Sequence, residues 1–154
     1  MVLNITVDGI QQGGEIPRKY TCDGENISPR ISISGVPVGS KSLALIVEDP
    51  DAPVGLFVHW VIYNIPPDMT EIKEGMGRER KSAAGAEQGK NDFGRIGYDG
   101  PCPPRGHGFH RYYFRLYALS SMLSLSGTAT RADLLKGMEG KVAEMAEVMG
   151  RYRR

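Results

Sequence analysis

Three segments of this chain read as long strands, and two of them are apolar on both faces. "LALIV" (Leu43 to Val47) and "VHWVIYNI" (Val58 to Ile65) are runs of aliphatic, branched and aromatic residues, the composition of strands covered on both sides. "HRYYFRLYAL" (His110 to Leu119) alternates instead. His110, Tyr112, Phe114 and Leu116 share one face while Arg111, Tyr113 and Arg115 share the other, because successive side chains of a strand point to opposite sides. A sheet built from such strands needs cover on each face, so it must be one layer of a larger β structure. "LNITV" (from Leu3) and "ISIS" (from Ile31) add strands with one apolar face. Pro66 and Pro67 close the second long run, since proline cannot donate to a ladder.

Between Pro66 and Phe109 lies a long Gly- and Pro-rich passage with little apolar periodicity. Phe93, Ile96 and Tyr98 punctuate its second half, which predicts an ordered loop packed on the sheets. Beyond Thr130 the period changes: Leu134, Met138, Val142, Met145 and Met149 recur at spacings of three and four. This predicts a helix over Ala132 to Met149, opened by a Thr130/Asp133 capping box and stopped near Gly150. The expected fold is mainly β: an antiparallel β-sandwich with short helices and a C-terminal helix, residues 1–154 forming a single domain.

With 40% hydrophobic and 24% charged residues and a formal net charge of +1, the composition is that of a globular chain and implies no nucleic-acid partner. The basic runs "RERK" and "RYRR" read as solvated surface. No secretory leader pattern and no run of ~20 apolar residues occurs, which predicts a cytoplasmic protein without membrane insertion. Cys22 and Cys102 lack metal-ligand spacing and read as two buried free thiols. Whether they meet in space is left open.

The histidines carry the functional signal. His59, His107 and His110 fall in or beside two stretches, and His59 follows the acidic turn "EDPDAP" with Glu48, Asp49 and Asp51. With the second and third long strands in one sheet, His59, on the face of Val61, Tyr63 and Ile65, and His110 with Tyr112 would converge near one sheet end. The "DPDAP" and "GPCPP" turns would wall them in. A carboxylate beside an imidazole favours its charged form, so the expectation is a small anion site whose acid raises the histidine pKa. The peptide bond before Pro53 is a candidate for cis. The rival reading is a metal-dependent enzyme using His59, His110 and Asp49, although prolines around the acid restrict the adjustments of a metal site. Neither a Gly-x-Ser-x-Gly elbow nor a Gly-Lys-Ser/Thr phosphate loop is present.

Four ordered motifs, "YTCDGENISP" (Tyr20 to Pro29), "DPDAP" (Asp49 to Pro53), "HWVIYN" (His59 to Asn64) and "GPCPPRGHGFHRYYF" (Gly100 to Phe114), resemble the phosphatidylethanolamine-binding protein family, which includes the Raf kinase inhibitor proteins. The resemblance covers nearly the whole chain and is closest to the short bacterial and archaeal branch. It implies a β-sandwich with a shallow cavity for phosphate and phosphorylated head groups. Position by position, the cavity acid falls on Asp49, the histidines on His59 and His110, and the tyrosine on Tyr112. Pro53, Cys102 and Pro103 line the rim, and a backbone N–H of the "GPCPP" loop faces the anion. Asp51 is expected to brace the turn. Bacterial members often carry an aromatic residue just before the strand histidine; Val58 stands there in this chain, which predicts a thinner wall. The functional expectation is a non-enzymatic binding protein without cofactor, regulating a partner. The alternative is a kinase or serine-protease inhibitor acting through surface loops. Short members are often homodimers.

Overall fold

A computed structural model describes residues 2–125 and 128–154. Two antiparallel sheets pack face to face. The smaller has the order β1 (Asn4–Val7), β2 (Ile31–Ser34), β5 (Glu71–Ile72); the larger runs β6 (Glu87–Gln88), β4 (Phe57–Ile65), β3 (Ser42–Asp49), β7 (His110–Leu119), β8 (Val142–Tyr152). One helix, α1 (Arg131–Met138), lies on the outer face of the larger sheet. No helix among the described residues is long and apolar enough to cross a membrane.

The alternation seen in the sequence decides which residues meet. Leu43, Leu45 and Val47 of β3 and Tyr112, Phe114 and Leu116 of β7 face Ile5, Val7, Ile31 and Ile33 of the smaller sheet and form the inter-sheet core. Ala44 and Ile46 face outward into a second apolar layer completed by Leu134 and Met138 of α1. Both faces of β3 and β4 are therefore dry, as their composition demands.

The C-terminal segment departs from expectation. The Thr130/Asp133 capping box forms, but the helix ends at Met138, and Gly140 turns the chain at a φ of 73°. Residues 142–152 then form an edge strand on β7, paired from His110↔Tyr152 to Leu119↔Val142. Ala, Met and Glu all favour helix locally, so the propensity of "VAEMAEVM" points the wrong way. The deciding signal is the alternation of Ala146, Val148 and Gly150, inward, with exposed Glu147 and Arg151, which lets the segment cover β7. Gly150 is no helix stop: a Cβ there would lie 2.6 Å from the side chain of Ile16 and 2.8 Å from that of Ile10.

Two further expectations fail. All peptide bonds of the described residues are trans, including the one before Pro53. Cys22 and Cys102 are neither free nor buried: they form a disulfide across a sequence separation of 80 residues, with Cys102 exposed.

Candidate functional site

β3 ends, and β4 and β7 begin, at the same end of the larger sheet. A cavity of about 250 Å³ opens there, and Asp49, Pro53, His59, Cys102, Pro103, His110 and Tyr112 all line it. Asp49 follows Val47 on the inner face of β3, while His110 and Tyr112 precede Phe114 on the inner face of β7. These three are positioned by strand alternation alone.

His59 reaches the cavity differently. Val47 pairs with Trp60 and Glu48 with Val58, so His59 is the extra residue of a β-bulge. A bulge changes which face the following residues take. Val58, Val61 and Tyr63 pack on the outer layer, whereas Trp60, Ile62 and Ile65 enter the inter-sheet core. The expected grouping of His59 with Val61 and Tyr63 is thus broken, while Ile65 returns to the inner side after a second register shift between Leu43 and Leu45. Only because of the first irregularity does His59 meet Tyr112, with ring centroids 5.2 Å apart.

The three acids of the turn diverge. Glu48 points outward and is buried between Arg115 (2.6 Å) and Arg131 (2.7 Å), tying β3 to β7 and to the start of α1. Asp49 points inward: one oxygen accepts from His110 Nδ1 at 2.7 Å, the other from the Asp51 backbone N–H at 2.7 Å. Asp51 accepts from the Arg111 backbone and guanidinium, which holds its carboxyl below the usual carboxylate range. It braces the turn.

The two cavity histidines have different partners. His110, 2% exposed, is paired through Nδ1 with Asp49, and its Nε2 lies 2.6 Å from Nδ1 of His107. His59, 3% exposed, has its Nδ1 2.6 Å from the backbone carbonyl of Asp99. A carbonyl can only accept, so the Nδ1 proton resides on His59 and leaves Nε2 with a lone pair in the neutral ring. Burial pushes the His59 pKa below its ordinary value, an effect the Asp99 carbonyl and the nearby acids offset only in part. The expectation that the acid raises the pKa of His59 is overturned: Asp49 is engaged with His110, and desolvation governs His59. Tyr112 is raised well above the usual phenol range, first by burial and then by Asp49. Its O–H therefore stays a donor.

The loop wall is held by its own network. The Asp99 carboxylate, 1% exposed, is gripped by Arg78 (2.8 Å), Arg95 and the Asn91 amide (2.7 Å). Arg154 pairs with Asp23 at 3.2 Å. At least one arginine of each basic run is thus structural. Of the two N–H groups in "GPCPP", that of Gly100 donates to Asn26; the other belongs to Cys102, which lines the cavity.

Sequence reasoning missed Phe57, Phe93 and His107. Phe57 and Phe93 are tilted against each other (4.9 Å) and each meets His59 edge to face (5.3 and 5.5 Å). They supply the aromatic wall that Val58, turned to the outer layer, does not, so the wall is not thinned. Phe93 was legible as a loop anchor, though not as a cavity residue. His107 sits between Gly106 and Gly108, whose φ values are 77° and 90°. No three His, Cys, Asp or Glu side chains converge as a metal-ligand set among the described residues; Asp49 spends its two oxygens on His110 and Asp51.

This arrangement can be set beside known proteins. A UPF0098 protein of Methanothermobacter thermautotrophicus is 51% identical over 99% of both chains. The crystal structure of the homolog CT736 from Chlamydia trachomatis superposes with a TM-score of 0.90 at 42% identity, covering 99% of this chain and 98% of that one. Escherichia coli YbcL gives 0.91 at 33%, covering 100% and 99%. The carboxypeptidase Y inhibitor, seen with its cognate proteinase, shares the fold at 18% identity and a TM-score of 0.62, covering 98% of this chain and 83% of that one. The family model for phosphatidylethanolamine-binding proteins matches residues 6–153. With the sandwich, the bulged histidine and the four ordered motifs all inside that match, the chain belongs to the phosphatidylethanolamine-binding protein family, in its bacterial and archaeal branch.

Proposed function

We propose that the chain is a non-enzymatic binding protein whose cavity takes a small anion, phosphate or a phosphorylated head group. The observation that carries this reading is the placement of the acid. Asp49 lines the cavity, but one oxygen accepts from His110 and the other from a backbone N–H, so its charge is partnered and the groups left for an anion are the Tyr112 hydroxyl, the Cys102 N–H and two imidazoles. The lining contains no serine or threonine, and its one cysteine is bonded to Cys22, so it offers no nucleophile of the serine, threonine or cysteine type.

Binding in this scheme is proton-coupled. His59 is held neutral by burial in the free protein, and an anion beside Nε2 raises its pKa by charge pairing. The bound state therefore takes up a proton, and affinity strengthens as pH falls through the pKa of His59 in the bound state. His107, exposed and flanked by glycines, can leave Nε2 of His110 free for the ligand. Sulfate, whose charge is constant over this range, tests the scheme by calorimetric titration from acid to neutral pH. Tighter binding at low pH that is lost in His59→Gln supports it; affinity flat with pH, or sulfate bound as well by His59→Gln at every pH, sinks it. Regulation of a protease or kinase through the surface loops would be added to this activity, and an inhibition assay with and without bound phosphate addresses it.

A further inference from the structure

A second cavity, of about 420 Å³, shares no lining residue with the first. Its floor is the inter-sheet core itself: Ile62 of β4 and Ile72 of β5, one from each sheet, with the half-buried Met69 and Met76 beside them. A turn of small residues borders it, closed by hydrogen bonds from Ser82 N to Ala86 O and from Gly85 N to Ser82 O. Most ligand pockets have this character, an apolar lining with few polar groups.

Two polar features give the cavity a preference. The Ser82 hydroxyl is buried without a hydrogen-bond partner among the described residues, an unusual state for a buried polar group. The two carboxylates in the lining are already neutralised, Glu71 by Arg30 at 2.6 Å and Glu74 by Lys19 at 2.8 Å. Lys73, between them in sequence, lines the same cavity, and none of the ion pairs among the described residues includes it. The site therefore combines an apolar slot, an unused hydroxyl donor and an uncompensated cation.

We propose that this cavity binds a medium-chain fatty carboxylate. The alkyl chain lies on Ile62, Ile72, Met69 and Met76, and the carboxylate pairs with Lys73 and accepts from the Ser82 hydroxyl. Methionine suits such a slot because its unbranched side chain adapts to the chain it meets.

Calorimetric titration of the full chain with hexanoate, octanoate and decanoate tests this. Affinity rises about fourfold per added methylene, the equivalent of about 0.8 kcal/mol, until the chain fills the cavity, and binding carries a negative heat-capacity change. Ala84→Phe, at an exposed position where folding is not at stake, fills the slot and abolishes binding. Lys73→Gln weakens octanoate several-fold but leaves octanol unaffected, whereas Ser82→Ala weakens both. Saturating sulfate changes none of these affinities. The proposal is overturned if affinity is independent of chain length, if Ala84→Phe binds as wild type, or if sulfate displaces the fatty acid, which would put the chain in the first cavity.

Discussion

The anion cavity has two walls of different construction. One is made by strands: Asp49, His110 and Tyr112 stand at fixed register on β3 and β7, each oriented by the ladder beneath it. The other is made by irregular chain, Phe93 and the loop from Asp99 to Pro104, and irregular chain has no ladder to hold it. There the work falls to staples: the Cys22–Cys102 disulfide, the Asp99 carboxylate gripped by Arg78 and Arg95, and the Asn26 side chain on Gly100. His59 joins the walls, on a strand by its backbone but aimed by a bulge and held by a loop carbonyl. A strand wall costs little beyond the fold itself; a loop wall must be tied down.

If that contrast holds, the largest effect comes from cutting a staple. Cys102→Ser releases a closed loop spanning 80 residues in sequence, for which chain entropy gives about 4.5 kcal/mol. Urea unfolding with and without a dithiol reductant measures it, and an unchanged midpoint would show that the loop wall stands without the bond. Next comes the strand wall. Asp49→Ala leaves His110 Nδ1–H buried without an acceptor, a loss of about 2 kcal/mol, and weakens sulfate binding although it removes a negative charge near an anion. Tighter sulfate binding in that variant would mean that the acid opposes the ligand rather than orienting the histidine.

The residue between the walls has its own signature. His59 has a folded pKa below its unfolded value, so between the two the unfolded chain binds a proton that the native state refuses. Its contribution to stability is complete above ~6.5, the unfolded value, and is lost as pH falls toward the folded pKa. Comparing urea midpoints of wild type and His59→Gln across this window isolates the term; parallel pH profiles would show that His59 is not held neutral. The smallest effect belongs to Asp51→Ala. The Asp51–Arg111 pair lies near the surface, with the arginine side chain 50% exposed, so about 0.5 kcal/mol is expected with sulfate binding unchanged. A large loss of affinity would move Asp51 from the turn into the site.

What the sequence by itself determined is whatever depends on local pattern. Continuous apolar runs identified β3 and β4, and alternation β7, to within a few residues, and the Thr130/Asp133 pair marked the start of α1. The residues on β3 and β7 could be grouped around one end because a strand's side chains have a fixed period of two. Tertiary structure decided whatever depends on pairing across distance. "VAEMAEVM" is a helix by propensity and a strand because the open edge of β7 offers it a ladder and an apolar face. The bulge at His59 exists only in register with β3, so no count of residues along β4 could reveal which way the imidazole turns. The disulfide requires that segments 80 residues apart in sequence meet, a fact about packing. The charge state of His59 follows from the same source: a neighbouring acid in sequence suggested an imidazolium, but burial, a product of the fold, outweighs the Asp99 carbonyl and the acids and lowers its pKa.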